Sequence, residues 1–134
     1  MYEVEELFAG DPCRTKLWVS VQVSRAISDF ALKNRRSVEQ LLKRLQHYTK
    51  NGFSNYEGDG PIRYEWDGVY RIGHKSNLFR IIGFYDGGKT EFIAIEAFTK
   101  HGQKLSKPEK NRINEVVRVK EQRLWRKKDH GQDS

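Results

Sequence analysis

VYRIGHKSNLFRIIGFYDGGKTEFIAIEAFTKHGQKLSKPE, residues 69–109, contains three short apolar segments separated by turn signals. Residues 69–74, 78–85 and 92–98 are rich in β-branched and aromatic side chains and read as strands. Lys75-Ser76 marks the first turn and Gly87-Gly88 the second, so the strands follow one another as hairpins. A basic residue lies inside or at the end of each segment: Arg71, Arg80 and Lys100. Cations on or at the ends of rigid strands suggest a surface built for a polyanion.

Downstream, Ser106-Lys107-Pro108-Glu109 is a capping box with proline tolerated in the first turn. It opens a helix running to Leu124, with Ile113, Val116, Val117 and Leu124 as the buried stripe. Upstream, Leu17, Val19, Val21 and Val23 alternate with Trp18, Ser20 and Gln22, the period of a strand with one buried face. Ser24 reads as the N-cap of a helix through Asn34, with Ala26, Ile27, Phe30 and Ala31 on one stripe. A second helix is expected from Ser37, with Gln40 at the capping-box position and Leu41, Leu42, Leu45 and Tyr48 facing inward. Asn51-Gly52 stops it, and Arg35-Arg36 links the two helices into a hairpin. Residues 53–61 form a Gly/Asn/Asp loop. Residues 62–66 are either a strand turned into the next by Asp67-Gly68 or an extended lead-in. Residues 2–8 are either a short strand or a frayed extension.

These pieces imply an α+β fold: an antiparallel sheet, made of a three- to four-stranded meander plus an N-terminal strand, packed against an α-helical hairpin, with a basic C-terminal helix. The expected division is an N-terminal extension at 1–16, one domain at 17–126, and a disordered tail at 127–134.

The 134 residues suffice for one core of modest size. A 37% hydrophobic and 32% charged composition fits a folded domain with a polar surface. The net charge of +7 is unevenly placed. Residues 1–98 hold 14 Lys/Arg against 13 Asp/Glu, whereas residues 99–128 hold 11 against three, a local +8. That asymmetry points to nucleic acid or another acidic partner, or to a solvated basic helix. Cys13 is the only cysteine, which precludes an intrachain disulfide and fits a reducing compartment. No apolar run approaches the ~20 residues of a membrane span, and the acidic start MYEVEELFAG is unlike a signal peptide. A cytoplasmic protein with no membrane partner is expected.

With the first hairpin turning at Lys75-Ser76, Arg71 and Arg80 are directly opposed, their Cβ atoms ~5 Å apart. Like charges so placed need compensation. Either Glu65, Asp67 or Glu96 pairs with them, or a phosphate sits between the two guanidinium groups. Lys100, His101 and Lys104 follow the last strand, where a loop reaches back over the sheet. A lone histidine is more often an ordinary surface residue, but His74 and His101 both lie beside clustered cations, and histidine is the side chain type suited to proton transfer near neutral pH. Four scattered histidines and one cysteine offer no metal-ligand spacing, so neither metal nor cofactor is expected. The glycines at 87–88 are a hairpin rather than a phosphate-binding loop.

The order strand, two helices, three-stranded meander and last helix resembles the RelE/ParE toxin superfamily, most closely the phage-derived, HigB-like branch of type II toxin–antitoxin systems. VYRIG, LFRIIGFYDGG and EFIAIEAFTKHGQKLSKPE carry the likeness, over about residues 17–125. Pro108 comes two residues later than that branch's exit pattern expects. The resemblance implies a ribosome-dependent mRNA endonuclease that works without metal and is inhibited by a helix-turn-helix antitoxin from the adjacent gene. It implies catalytic roles for Arg71, Arg80, Lys100 and Lys104, and for His101, where the family often has lysine. His74, Lys75, Lys107, Lys110 and Arg118 are the expected RNA- or ribosome-binding residues. The family's Tyr or His on the last helix has no counterpart, since residues 106–124 contain neither. A ParE-like gyrase poison and a non-catalytic nucleic-acid-binding domain remain alternatives, because fold does not fix function.

Overall fold

The structure, a computed structural model, describes residues 1–74, 77–102 and 104–128, with only the backbone of His74 and Asn77. Its elements in order are β1 (Tyr2–Leu7), β2 (Lys16–Ser20), α1 (Val21–Lys33), α2 (Arg35–Asn51), a 3₁₀ turn (Phe53–Tyr56), β3 (Ile62–Trp66), β4 (Val69–His74), β5 (Asn77–Tyr85), β6 (Glu91–Thr99), α3 (Lys107–Gln122) and β7 (Trp125–Lys127). Tyr2–Leu7 and Ile62–Trp66 are both strands, which settles two of the open readings.

Among the described residues seven strands form one sheet in the order β3-β4-β5-β6-β2-β1-β7. β3 to β6 are consecutive antiparallel neighbours, but β2 joins β6 in parallel and β7 joins β1 in parallel. The sheet is therefore mixed rather than antiparallel. Parallel neighbours require a crossover, and the helices supply it: α1 and α2 lie between β2 and the later strands, and α3 carries the chain from β6 to the far edge. Lys127, expected in a tail, instead ends β7 opposite Val4; residues 129–134 lie outside the described residues.

The helix starts differ from expectation for one reason. Ser20, fully buried, donates to the Ile95 carbonyl at 2.6 Å and accepts from Val23 N–H at 3.2 Å. Docked on β6 in this way, it caps α1 four residues before Ser24. α2 then starts directly after Asn34, so Ser37 lies within its first turn rather than before it. Gly52, at φ 98, ends α2 as read from the sequence.

Both faces of the sheet are covered. Leu17, Val19, Ile72, Phe79, Ile81 and Phe92 pack beneath α1 and α2, where Phe30 stacks on Phe79 at 5.0 Å. Val4, Val69, Ile82, Phe84, Ile93, Ile95 and Phe98 pack beneath Ile113, Val116 and Val119 of α3. Burial from both sides explains the near-continuous apolar run of β6. The expected α3 stripe is met by Ile113 and Val116, while Val119 takes the fully buried place and Val117 and Leu124 are partly exposed. Among the described residues no helix is long and apolar enough to cross a membrane.

Candidate functional site

The site begins with a bulge. Asp67 and Gly68, both at positive φ (52 and 81), turn β3 into β4 and pair Trp66 with Val69. One residue further the register shifts, giving Tyr64 opposite Tyr70 and Arg63 opposite Arg71. Glu65 is the extra residue. Its carboxylate lies 2.9 Å from Arg71 Nε, and the next residue, Trp66, donates to Asn114 Oδ1 of α3 at 2.9 Å. Both neighbours thus serve the α3 side of the sheet, which an unbroken strand would not allow. The Arg71–Glu65 pair is largely shielded, with the side chains 21% and 11% exposed.

A second shift corrects the expected arginine pair. His74 faces Asn77, but Ile72 faces Ile81 and Arg71 faces Ile82; the expected turn at Lys75-Ser76 lies outside the described residues. Arg80 is therefore not opposite Arg71. The pairing of β5 with β6, Phe79 to Thr99 and Arg80 to Phe98, sends Phe79 under α1 and Arg80 to the α3 side. The Arg80 side chain then lies across Gly73: a Cβ added there would meet its Cδ at 2.7 Å and Nε at 2.8 Å. Gly73 is the space in which Arg80 sits. Arg80 Nη1 also donates to the Phe79 carbonyl at 2.9 Å.

Lys100 completes the group. Its backbone N–H donates to the Leu78 carbonyl at 2.7 Å, holding the end of β6 against β5, and the residue is only 8% exposed. Burial, then the Arg71 and Arg80 charges, push its ammonium below the usual lysine range. Burial followed by Arg71 and Arg63 likewise lowers the Arg80 guanidinium. Arg63, Arg71, Arg80 and Lys100 line one cleft of about 320 Å³, together with Gly73 and Asp59-Gly60-Pro61. A second cleft of about 540 Å³ shares Arg80 and Lys100 and adds Leu78, His101 and Gly102.

The loop leaving β6 is tied to α3 by Glu109. This buried carboxylate accepts from His101 N–H at 3.2 Å and from Ser106 N–H at 2.8 Å, while Ser106 Oγ accepts from Glu109 N–H at 3.3 Å. The capping box is as the sequence indicated. Burial opposes the charge on Glu109, but the hydrogen bonds from Ser106 and His101 prevail and hold it below the usual carboxylate range.

The structure thus brings together Arg71, Arg80 and Lys100, and places His101 in the adjoining cleft. Lys104 is exposed and lines neither of these two clefts. Lys107 and Lys110 lie exposed in the first turns of α3. Arg118 lies farther along, its guanidinium bonded to both oxygens of Glu115 at 2.7 and 2.9 Å. The His74 side chain and Lys75 lie outside the described residues. Arg63 and the 59–61 segment of the lining are not indicated by the sequence. The only hint of Arg63 was the Asp67-Gly68 turn, and a plain two-residue hairpin would have put Ile72 opposite it. Among the described residues no group of three or more His, Cys, Asp or Glu is placed to hold a metal ion.

Together these features define an α+β domain with a mixed sheet and a cationic cleft on the face shared with its last helix. No family model matches the chain, no curated protein matches it, and no solved structure matches it.

Proposed function

We propose that the cationic cleft binds and cleaves RNA without a metal, and that the protein is a ribosome-dependent mRNA endonuclease of the RelE/ParE, HigB-like kind. In this reading β3–β6 stand for the family's meander, α1 and α2 for its helical hairpin, and α3 for its basic last helix. β1 and β7 are additions. The observation that carries the reading is the convergence of four cations from different segments, two of them with lowered proton affinity, on one cleft. Charge so concentrated suits a phosphate passing through a more highly charged transition state. A solvated basic face needs no such convergence.

The reaction is internal transesterification. The ribose 2′-oxygen attacks phosphorus and the bond to the 5′-oxygen breaks, leaving a 2′,3′-cyclic phosphate and a 5′-hydroxyl. One proton leaves the 2′-hydroxyl and one is delivered to the departing 5′-oxygen. His101, beside Arg80 and Lys100, is the candidate carrier, and Arg71, Arg80 and Lys100 hold the charge on the equatorial oxygens. A helix-turn-helix antitoxin encoded beside it is the proposed partner.

Purified protein added to a cell-free translation reaction will arrest synthesis and leave cuts in the message, each ending in a cyclic phosphate. Intact transcripts with undiminished translation would refute the proposal.

A further inference from the structure

Arg80 and Lys100 form a wall between two clefts of different character. On one side stand Arg63, Arg71 and Asp59. On the other stand Leu78, His101 and Gly102. A free phosphate has no use for the second side, which offers a leucine 52% exposed, an imidazole and a glycine backbone. Apolar and planar surface next to cations suits a flat, uncharged ring, because bases stack on such platforms whatever their sequence. Asp59 likewise makes the first cleft more than a phosphate cradle. A carboxylate repels phosphate oxygens but accepts from hydroxyl or amino groups.

We infer that the two clefts together take two consecutive nucleotides of single-stranded RNA, with the connecting phosphate against the Arg80–Lys100 wall. One base lies over Leu78 and His101; the other nucleoside enters the first cleft and turns its hydroxyl or amino donors to Asp59. The strand is single here, because in a duplex the face offered to Leu78 is already stacked on its neighbours. The inference rests on the RNA-cleaving reading and adds the length and form of the ligand to it.

The test uses the full chain and three probes: inorganic phosphate, a nucleoside 5′-monophosphate, and a dinucleoside monophosphate whose 2′-hydroxyl is methylated so that it cannot be cut. The dinucleotide will bind at least about tenfold more tightly than the mononucleotide, and that more tightly than phosphate, each stacked base contributing a factor of this order. Leu78→Ser will reduce the ratio of dinucleotide to phosphate affinity roughly tenfold, with an unchanged thermal transition as the folding control. Equal affinity for phosphate and dinucleotide, or a ratio that Leu78→Ser leaves alone, overturns the two-cleft arrangement. If messages are still cut in that case, the nuclease reading survives without it. If the dinucleotide preference holds but no message is cut, the clefts bind RNA and the nuclease reading falls.

Discussion

Arg63 and Arg71 face each other across β3 and β4, and Glu65, the bulged residue beside them, sits 2.9 Å from Arg71 Nε. The Glu65 carboxylate pairs with Arg71, whereas the Arg63 Nε donates to the Gly60 carbonyl at 3.4 Å. Arg71 is the enclosed partner and Arg63 the exposed one. An opposed like-charged pair is a standing cost to the fold, which a ligand phosphate would relieve.

Replacing Arg63 therefore separates function from stability. Arg63→Ala removes the repulsion and is expected to leave the fold unchanged or more stable by up to about 1 kcal/mol, the scale of a cross-strand pair. RNA affinity will fall, and its salt dependence will drop by about one phosphate contact. Thermal melts and binding measured at several salt concentrations decide it. A variant that is both less stable and unchanged in RNA binding would show Arg63 to be structural.

Arg80→Ala probes the chemistry itself. Losing one preorganised donor to the transition state should slow cleavage by roughly 10²–10³-fold. Binding will change far less. Because Arg80 lies in a central strand, the variant must first show a wild-type thermal transition. A folded Arg80→Ala protein that cuts at the normal rate would move the active site elsewhere.

Gly73→Ala moves the same guanidinium without removing it. The new methyl group would stand 2.7 Å from Arg80 Cδ, so the flexible side chain must shift. Misplacing a catalytic group by about 1 Å can cost up to ~10²-fold, and a loss of roughly ten- to a hundredfold in rate is expected. The melting temperature should hardly move, since Gly73 is not at positive φ. Full activity in Gly73→Ala would show that the position of Arg80 is unimportant.

Glu109 predicts a pH effect of definite sign. Its folded value lies below the ordinary 4.5, so its carboxylate contributes stability that is fully present above about 4.5. That contribution is lost as pH falls through the folded value. Wild type will be more stable than Glu109→Gln near neutrality, and the gap will narrow on acidification below 4.5. Thermal midpoints across that range test this; a gap constant with pH would mean the charge plays no part.

Val4 tests whether the first strand belongs to the cooperative fold. It is fully buried between β2 and β7, beneath α3. Val4→Ala removes two buried carbons, at ~0.8 kcal/mol each plus a cavity term, for a loss of about 2 kcal/mol. Urea unfolding with an unchanged slope should show it. A loss below about 0.5 kcal/mol would place β1 outside the unit that unfolds together.

What the sequence determined by itself was local. The strands in 69–99 follow from their β-branched and aromatic side chains and the turn residues between them, the Ser106–Glu109 box from its own spacing, and the stop at Gly52 from the φ only glycine adopts readily. The clustering of basic residues after Thr99 was equally visible, as were Arg71, Arg80 and Lys100 as cations on or at the ends of strands. Each of these depends on residues within a turn or two of one another.

Only the tertiary structure decided how those pieces meet. A β-bulge adds one residue to a strand without altering its composition, so nothing in IRYEWDGVYRI says that Glu65 is unpaired and Arg63 meets Arg71. The shift between Ile72 and His74 likewise depends on Phe79 reaching Phe30 and on Arg80 fitting over Gly73. Ser20 rather than Ser24 caps α1 because only Ser20 reaches the Ile95 carbonyl, 75 positions away in the chain. The parallel places of β2 and β7 were hidden for the same reason. Register and strand order are fixed by packing between distant segments, whereas periodicity records only which face of each segment is apolar.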